Sequence, residues 1–377
     1  MRRIGAILAG FLLFLGGEAL ACTTAIVSAG ASESGRPMLW KQRDASDPYN
    51  RIVHISEGVE IPYTALFPTR DSLCTLAYAG LNAAGFAIVN NLSYNLRPDS
   101  LGFDTKAGPL MARALGCCRT VGDFERLLQE MPRPMLLSTN FALIDAEGGA
   151  AYFEVSDSSW TRFDVSPGGY LYRTNYSLTG EEGRGKGFER FRTIGGLMEG
   201  RKTFTPEFFF TAGRTFYKDG TDALRATRSG LLEEHDYIPR STTTACVVIE
   251  GPAPGEPLDS GMMWCAPGYT PCCYAVPVWV AAGSRIPECL TGRAEANRLA
   301  VALYLSVHSD ESEVKMVDAR ALRRIERKVR CAERREMRKG RCLTRKMRRS
   351  GFDAEAVDKY NSGADRRFVK YKNRFSL

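Results

Sequence analysis

A β-hairpin that starts with a cysteine is predicted by the stretch CTTAIVSAGASESGRPMLWKQRD, residues 22–44. Its first seven residues pass from polar to apolar, which is typical of a strand that enters a core. Residues 32–35 favour a turn, and a second strand begins at Pro37 and ends on the polar residues 41–44. Because the two strands of a hairpin are antiparallel, these polar side chains return toward Cys22. The stretch therefore places candidate catalytic groups beside a thiol.

An export signal is predicted for residues 1–21, immediately before the hairpin. Two arginines open it, residues 4–15 are apolar, and residues 19–21, Ala-Leu-Ala, form a small-x-small cleavage site. The apolar span is short and no stop-transfer sequence follows it, which disfavours a permanent membrane anchor. We expect an exported protein, periplasmic or extracellular, whose mature chain begins at Cys22.

A cysteine at a new N-terminus is compatible with three interpretations. As a catalyst, its thiol is the nucleophile and its own α-amine, with an ordinary pKa of about 7.7–8.0, is the base. As a lipid attachment site, it would be acylated before the cut. That route prefers a larger aliphatic residue three positions earlier, where this chain has Ala19, and the bulky Leu20 lies between. In the third interpretation, Cys22 is incidental to the cut.

The composition excludes several classes of protein. The chain has 377 residues, of which 44% are hydrophobic and 25% charged, as in a globular protein of one large domain or two ordinary ones. No apolar run beyond the N-terminus reaches the ~20 residues of a membrane span. Three scattered histidines and the lack of paired C-x₂-C motifs argue against a zinc site. We expect no metal and no cofactor.

Four sets of motifs follow one another along the chain. They are Cys22-Thr-Thr with Gly35-Arg-Pro and Trp40-Lys-Gln-Arg-Asp44, then Gly80-Leu-Asn-Ala-Ala-Gly-Phe-Ala-Ile-Val-Asn-Asn91, then Thr174-Asn175-Tyr176 with Glu189-Arg190-Phe191, and finally Ile238-Pro-Arg240-Ser-Thr-Thr-Thr-Ala-Cys-Val-Val-Ile249. Together they resemble the linear-amide branch of the N-terminal-nucleophile hydrolases. This family includes bile salt hydrolases, penicillin V acylases, the acid ceramidase and N-acylethanolamine amidase group, and the acyltransferase of penicillin biosynthesis. The similarity covers about residues 22–285.

The resemblance implies a role for each charged residue near the thiol. Cys22 attacks the amide carbonyl, and Asp44 holds the α-amine of Cys22. Lys41 stands where relatives often have an arginine, so the bidentate fork of an arginine is lost; Arg43 is an alternative for the cationic role. Arg190 steadies Asp44 and the nucleophile. The simpler interpretations are an ordinary strand-end pair for Asp44 and Arg43, and a solvated helix residue for Arg190.

The resemblance also implies an oxyanion site made by asparagines. Asn175 donates its side-chain amide to the developing oxyanion, helped by Asn91 or its backbone. A donor of this kind stabilises a transition state by about 2.7–4 kcal/mol. The simpler interpretation is that Asn90, Asn91 and Asn175 are turn residues.

The implied fold is α+β, a four-layer αββα sandwich of two antiparallel sheets between helical layers. The patterns along the chain agree with it, because strands alternate with helices in blocks. The predicted elements are helices over 108–116 and 121–131, a hairpin over 139–155, a helix capped by Thr205 with Pro206 next, a strand over 275–281 and a helix over 294–307.

The basic charge of the chain is concentrated at its C-terminal end. Residues 311–377 hold 22 basic and 10 acidic residues, a net +12, so the other 310 residues carry a net −4. Residues 319–347 have helical spacing of apolar residues. We divide the chain into a signal at 1–21, a hydrolase domain at 22–310 and a basic, mainly helical extension at 311–377. The extension is interpreted as a solvated helix packed on the body, with weak contact to an anionic envelope surface as the alternative.

The expected function is an exported cysteine amidohydrolase that cleaves a linear amide of an N-acylated small molecule through a thioester on Cys22. N-acyl amino acids, conjugated bile acids, penicillin-type amides and fatty acid amides all fit. An acyltransferase of the same family and a non-enzymatic lipoprotein are the rivals. Export disfavours a nucleic-acid partner, and the oligomeric state stays open. The apolar residues 62–68 are expected to line an acyl pocket.

Overall fold

The computed structural model describes residues 21–96, 106–228, 230–309 and 315–375. The predicted signal, apart from Ala21, lies outside the described residues. The strands are β1 (Cys22–Val27), β2 (Met38–Asp44), β3 (Asn50–Ile55), β4 (Tyr63–Pro68), β5 (Ala79–Asn82), β6 (Ala87–Leu92), β7 (Thr139–Ile144), β8 (Ala150–Val155), β9 (Trp160–Asp164), β10 (Tyr170–Arg173), β11 (Tyr217–Lys218), β12 (Thr221–Asp222), β13 (Leu231–Glu233), β14 (Thr243–Glu250), β15 (Met262–Pro267), β16 (Val276–Trp279), β17 (His308–Ser309) and β18 (Met316–Asp318). The helices are α1 (Ala107–Cys117), α2 (Val121–Glu130), α3 (Phe188–Met198), α4 (Pro206–Ala212), α5 (Ala223–Ala226), α6 (Glu295–Leu305), α7 (Ala319–Ser350) and α8 (Ala354–Lys372).

Two antiparallel sheets form the centre of the molecule. One has six strands in the order β10-β1-β2-β14-β15-β16, and the other is a seven-stranded meander from β3 to β9. A core cluster that fills the space between them includes Leu39 of the first sheet with Leu66 and Val89 of the second. Helices α1 and α2 pack on the outer face of the meander, and α4, α6 and α7 pack on the six-stranded sheet. The predicted αββα sandwich is confirmed.

The predicted hairpin is confirmed in detail. β1 and β2 pair from Cys22 opposite Arg43 to Val27 opposite Met38, and every residue of both strands is buried. Gly35 in the turn has φ +68°, a backbone angle that glycine adopts without strain. Since side chains alternate along a strand, β2 turns one set toward the helices and the other toward the second sheet. The polar end of β2 therefore reaches the space between the sheets beside Cys22.

Local sequence signals outside the hairpin also predicted the elements correctly. The Thr120 side chain accepts a hydrogen bond from the Asp123 backbone at the start of α2, and Asp123 completes the capping box. Thr205 caps α4 in the same way, with Pro206 as its first helical residue. The expectation for residues 62–68 is wrong: Tyr63, Ala65 and Phe67 pack beneath α1 and α2. Strand alternation turns these apolar side chains to the outer face of the sheet, away from Cys22.

The C-terminal helices share the core of the rest of the chain. Buried residues of α7 and α8, among them Leu322, Val329 and Phe368, belong to the same apolar cluster as Trp264 of β15. The acidic residues of α7 take part as well. Buried Glu333 binds buried Arg214 through two hydrogen bonds of 2.7 and 2.6 Å. The predicted boundary at residue 310 lies outside the described residues. Among those described, no helix combines the length and apolar character needed to cross a bilayer.

We expect Arg214→Met to lower the free energy of unfolding by about 3–5 kcal/mol, because it leaves Glu333 charged and buried without its partner. Urea denaturation measures the loss. The double variant R214M/E333L should recover most of the lost stability, since both buried charges are then gone. Arg192→Met breaks an exposed ion pair with Glu189 and should change stability by less than about 1 kcal/mol. An R214M variant as stable as the R192M control would show that α7 does not depend on this pair.

Candidate active site

Cys22 lies at the end of the six-stranded sheet, between β10 and β2, and is only 7% exposed. Its backbone nitrogen donates a 2.7 Å hydrogen bond to Oδ1 of Asn175. Its thiol lies 3.9 Å from the carbonyl oxygen of Asp44. The end of β10 and the end of β2 thus meet at the cysteine, as the hairpin register requires.

Arg190 holds the backbone of the cysteine in place. Its side chain is fully buried, so the interpretation as a solvated residue is wrong. Nη1 donates to the carbonyl oxygen of Cys22 at 2.7 Å, and Nη2 donates to Oδ1 of Asn175 at 2.9 Å. Gly187, with φ +84°, makes room for the guanidinium, because a Cβ atom there would lie 2.4 Å from Nη2. Arg190 and Asn175 together therefore clamp both backbone groups of Cys22.

Asp44 is buried near this clamp, and only one of its two carboxylate oxygens accepts a hydrogen bond within the described residues. Oδ1 accepts a 2.7 Å hydrogen bond from the hydroxyl of Thr243, and within the described residues Oδ2 has no hydrogen-bond partner. Burial raises the pKa of Asp44 to about 7, although the charges of Arg240 and Arg190 oppose the shift. The carboxyl group therefore changes its charge near neutral pH. Its predicted contact with a free α-amine stays a prediction, since Cys22 is joined to Ala21 in this structure.

Two cations of β2 occupy the space between the sheets. Lys41 is buried, and its Nζ donates to Oδ1 of Asn90 at 2.5 Å and to the carbonyl oxygen of Tyr78 at 3.0 Å. Burial lowers the pKa of Lys41 to about 8, against the raising effect of Cys22. Arg43 instead stacks on the Tyr78 ring at 3.9 Å. Lys41 is thus the better placed of the two to stabilise a thiolate.

The structure shows where the three candidate asparagines lie and whether they are turn residues. Asn90 and Asn91 lie within β6, so that simpler interpretation is wrong for both. Asn91 accepts a 2.6 Å hydrogen bond from Thr24, next but one to the cysteine. Asn175 turns its oxygen toward Cys22 and donates through Nδ2 to the carbonyl oxygen of Leu92 at 2.8 Å. Both side chains brace the nucleophile strand here, and their role at an oxyanion stays a prediction.

Sequence reasoning missed Asp236 and Arg240 as members of the site. Oδ1 of Asp236 accepts hydrogen bonds from Nε of Arg190 at 2.8 Å and from Nη1 of Arg240 at 2.9 Å. Tyr94 was missed as well: burial and the neighbouring Cys22 raise its pKa to about 12. A buried arginine needs a carboxylate partner. If Arg190 is buried, as its implied role requires, this need was the signal that could have pointed to Asp236. Its position in an irregular segment gave no periodicity to locate it.

The chemistry available at this site is that of a thiol in a positively charged, water-poor setting. Two cations lie near Cys22: Arg190 donates to its carbonyl oxygen, and Lys41 interacts electrostatically with it. Cations favour a thiolate. In the parts of the chain that the structure describes, no group of three or more His, Cys, Asp or Glu side chains is placed to hold a metal ion. The same parts contain all eleven cysteines as free thiols.

The raised pKa of Asp44 gives the uncut chain a stability that depends on pH. Its pKa rises from an ordinary 3.8 to about 7 on folding, so the folded state binds this proton more tightly and its stability falls as pH rises between those values. Asp44→Asn cannot ionise. Its free energy of unfolding, relative to the parent, should therefore increase across that range by on the order of 4 kcal/mol. Denaturant unfolding at a series of pH values measures this.

Asp353→Asn supplies a control of opposite sign. A hydrogen bond from Lys346 lowers the pKa of exposed Asp353, so its stabilising effect is lost as pH falls. That variant should lose stability relative to the parent at neutral pH. If the difference between D44N and the parent does not depend on pH, then Asp44 is not a buried carboxylate of raised pKa.

A family model matches residues 74–190 of the chain. The family is described as acyl-coenzyme A:6-aminopenicillanic acid acyl-transferase. The matched segment contains Asn91, Asn175 and Arg190 and begins after Cys22. Over this segment the chain is therefore similar to an enzyme family of the linear-amide N-terminal-nucleophile group. The resemblance inferred from the motifs is confirmed.

Solved structures also match the chain, at low identity and with TM-scores below 0.5. An N-acylethanolamine-hydrolyzing acid amidase ortholog from Caenorhabditis elegans is 12% identical, over 60% of this chain and 92% of that one, with a TM-score of 0.41. A mutant conjugated bile acid hydrolase from Clostridium perfringens is 11% identical over 69% and 92%, with a TM-score of 0.44. Penicillin V acylase from Agrobacterium tumefaciens is 13% identical over 68% and 86%, with a TM-score of 0.39. The comparison with curated proteins finds no match.

Proposed function

We propose that this protein is an exported amidohydrolase that cleaves the linear amide bond of an N-acylated small molecule, with Cys22 as its N-terminal nucleophile. The observation that carries the proposal is the clamp on Cys22. Asn175 accepts from its nitrogen and Arg190 donates to its carbonyl oxygen. A cut after Ala21 would leave the new α-amine held beside the thiol by these same contacts.

The residues of the chain supply the acid and base steps. The α-amine takes the thiol proton as Sγ bonds to the carbonyl carbon of the substrate. The resulting tetrahedral intermediate breaks its C–N bond, and the α-ammonium returns the proton to the leaving amine. The acyl group then remains on Sγ as a thioester. Water attacks the thioester with the α-amine again as base, which releases the carboxylic acid and restores the thiol.

The buried charges favour these steps. Lys41 stabilises negative charge on sulfur while it is protonated, and its pKa of about 8 limits that effect at higher pH. An α-ammonium near Asp44 would supply the unused carboxylate oxygen with a donor. Because water is largely excluded from this site, each of these interactions is stronger than it would be at the surface.

Acyl transfer is the second candidate function, because the matching family model is described as an acyl-transferase. The two functions share the thioester and differ in the nucleophile that attacks it. A hydrolase passes the acyl group to water, and a transferase passes it to an amine or a thiol.

The experiment that tests the proposal is a product assay with the exported, purified protein. N-acyl amino acids, conjugated bile acids, penicillin-type amides and fatty acid amides serve as substrates, each with and without hydroxylamine. Hydrolysis yields the free amine and acid, and hydroxylamine should divert part of the acyl group to a hydroxamate because it competes for the thioester. A preference for 6-aminopenicillanic acid or coenzyme A over water would establish the transferase. If no amide is turned over and Cys22 carries a lipid, the protein is a lipoprotein instead.

A further inference from the structure

We propose that the cavity between α7 and the β1–β2 turn binds a phosphate-bearing ligand. The cavity has a volume of about 470 Å³. It lies at the opposite end of β1 from Cys22, and that strand alone spans roughly 17 Å. The ligand site is therefore separate from the candidate active site and does not depend on the proposed function.

A row of arginines on α7 forms one wall of the cavity. Five of them recur every three or four residues, which places them on one face of the helix. Like charges at this spacing repel each other and destabilise a helix, and a bound anion would relieve that repulsion. The five are Arg334, Arg338, Arg341, Arg345 and Arg348.

The carboxylates near the cavity leave part of this charge unbalanced. Three carboxylates line the cavity. Glu207 pairs with Arg341, and Glu250 accepts hydrogen bonds from the Trp264 indole at 2.7 Å and the Ser34 hydroxyl at 3.0 Å. Glu33 pairs with no arginine of α7 within the described residues. Three other guanidinium groups of the row line the cavity, and within the described residues no carboxylate forms an ion pair with any of them. Those three belong to Arg334, Arg338 and Arg345.

Arg36 provides an independent observation from the opposite wall. It lies in the β1–β2 turn, its side chain is 1% exposed, and it lines the cavity. It donates to the carbonyl oxygen of Ser260 at 2.8 Å and pairs with Glu256, which it shares with Arg348. Within the described residues its Nε has no hydrogen-bond partner. A buried arginine and the arginine row of α7 thus line the same cavity.

The number of these groups favours an anion with more than one charge, such as phosphate. Guanidinium groups bind phosphate oxygens in a bidentate manner, and several arginines along one helix match a ligand with more than one charge. Phe204, Pro206 and Met262 add an apolar side to the cavity. The shared ligand chemistry is therefore a phosphate with an apolar neighbour, as in a soluble organophosphate or an anionic lipid headgroup.

The test measures binding of two probes to the mature full-length chain at low ionic strength. The probes are pyrophosphate, followed by calorimetry, and phosphatidylcholine vesicles with or without phosphatidylglycerol, followed by co-sedimentation. The variant R334Q/R338Q/R345Q removes only guanidinium groups without carboxylate partners. It should weaken binding by about 10-fold or more, with an unchanged or higher melting temperature.

The matched control, R320Q/R324Q/R327Q, removes three exposed arginines of the same helix that line a different cavity. It changes the net charge equally and should bind as the parent does. Saturable pyrophosphate binding that only the first variant loses supports a soluble ligand, and the same pattern with the anionic vesicles alone supports a lipid headgroup. Failure of the parent to bind either probe would overturn the proposal, as would equal losses in both variants.

Discussion

Replacing Cys22 by alanine is expected to lower kcat/KM for amide cleavage by about 10⁴-fold or more, because no other group can take the place of a covalent nucleophile. The fold should persist. The side chain is small, and the contacts that hold this residue run through its backbone nitrogen and carbonyl oxygen to Asn175 and Arg190. Steady-state kinetics with the best amide substrate, together with the melting temperature, measures both effects.

A second thiol provides the control for this substitution. Cys331 is an exposed free cysteine on α7, so Cys331→Ala removes a thiol without touching the site and should leave kcat/KM unchanged. The nucleophile assignment fails if C22A retains the activity of C331A in a preparation free of other hydrolases. Loss of activity in both variants would show that the effect of C22A is not specific to the nucleophile.

Changing Arg190 to lysine is expected to lower kcat/KM by about 100-fold or more, since a shift of about 1 Å in a reacting group has effects of that size. One guanidinium binds Cys22, Asn175 and Asp236 at once, and a single ammonium group cannot reproduce that fork. The defect should lie mostly in kcat. The rate at which iodoacetamide alkylates Cys22 should change as well, because the thiol loses its fixed position.

Arg192→Lys is the matched control in the same helix. Arg192 is exposed and, within the described residues, its ion pair is with Glu189 alone, so R192K should keep the parent kinetics. An R190K variant that folds, alkylates and turns over substrate at the parent rates would contradict the clamp. Asp236→Asn should weaken the same clamp to a smaller extent, because Arg190 keeps its other three partners.

The hairpin was predictable because its signals are local. The passage from polar to apolar residues after Cys22 and the turn at residues 32–35 predicted it, and helical spacing predicted α2 over residues 121–131. The four layers were not predictable from periodicity, since the order of strands in a sheet depends on long-range pairing. That expectation came from the resemblance, and β14 lies beside β2 although almost 200 residues separate them in sequence.

The site was only partly predictable for the same reason. The sequence indicated Cys22, Asp44, Asn175 and Arg190 as candidates, yet it carries no information on which atom of an amide faces a neighbour. The structure turns the oxygen of Asn175 to Cys22, and the nitrogen to Leu92. Buried ion pairs such as that of Arg214 and Glu333 join distant segments. The charge pattern of residues 319–347 therefore predicted a solvated helix. In the structure, part of the acidic charge of that helix is buried.

The most direct test of N-terminal cysteine catalysis is the intact mass of the exported protein, together with N-terminal sequencing. The mass is measured before and after a brief reaction with an amide substrate that is stopped with acid. We predict an unmodified chain that begins at Cys22, and a mass increase of one acyl group that hydroxylamine removes. A chain that begins elsewhere, or a lipid on Cys22 that blocks its amine and thiol, would contradict the proposed mechanism.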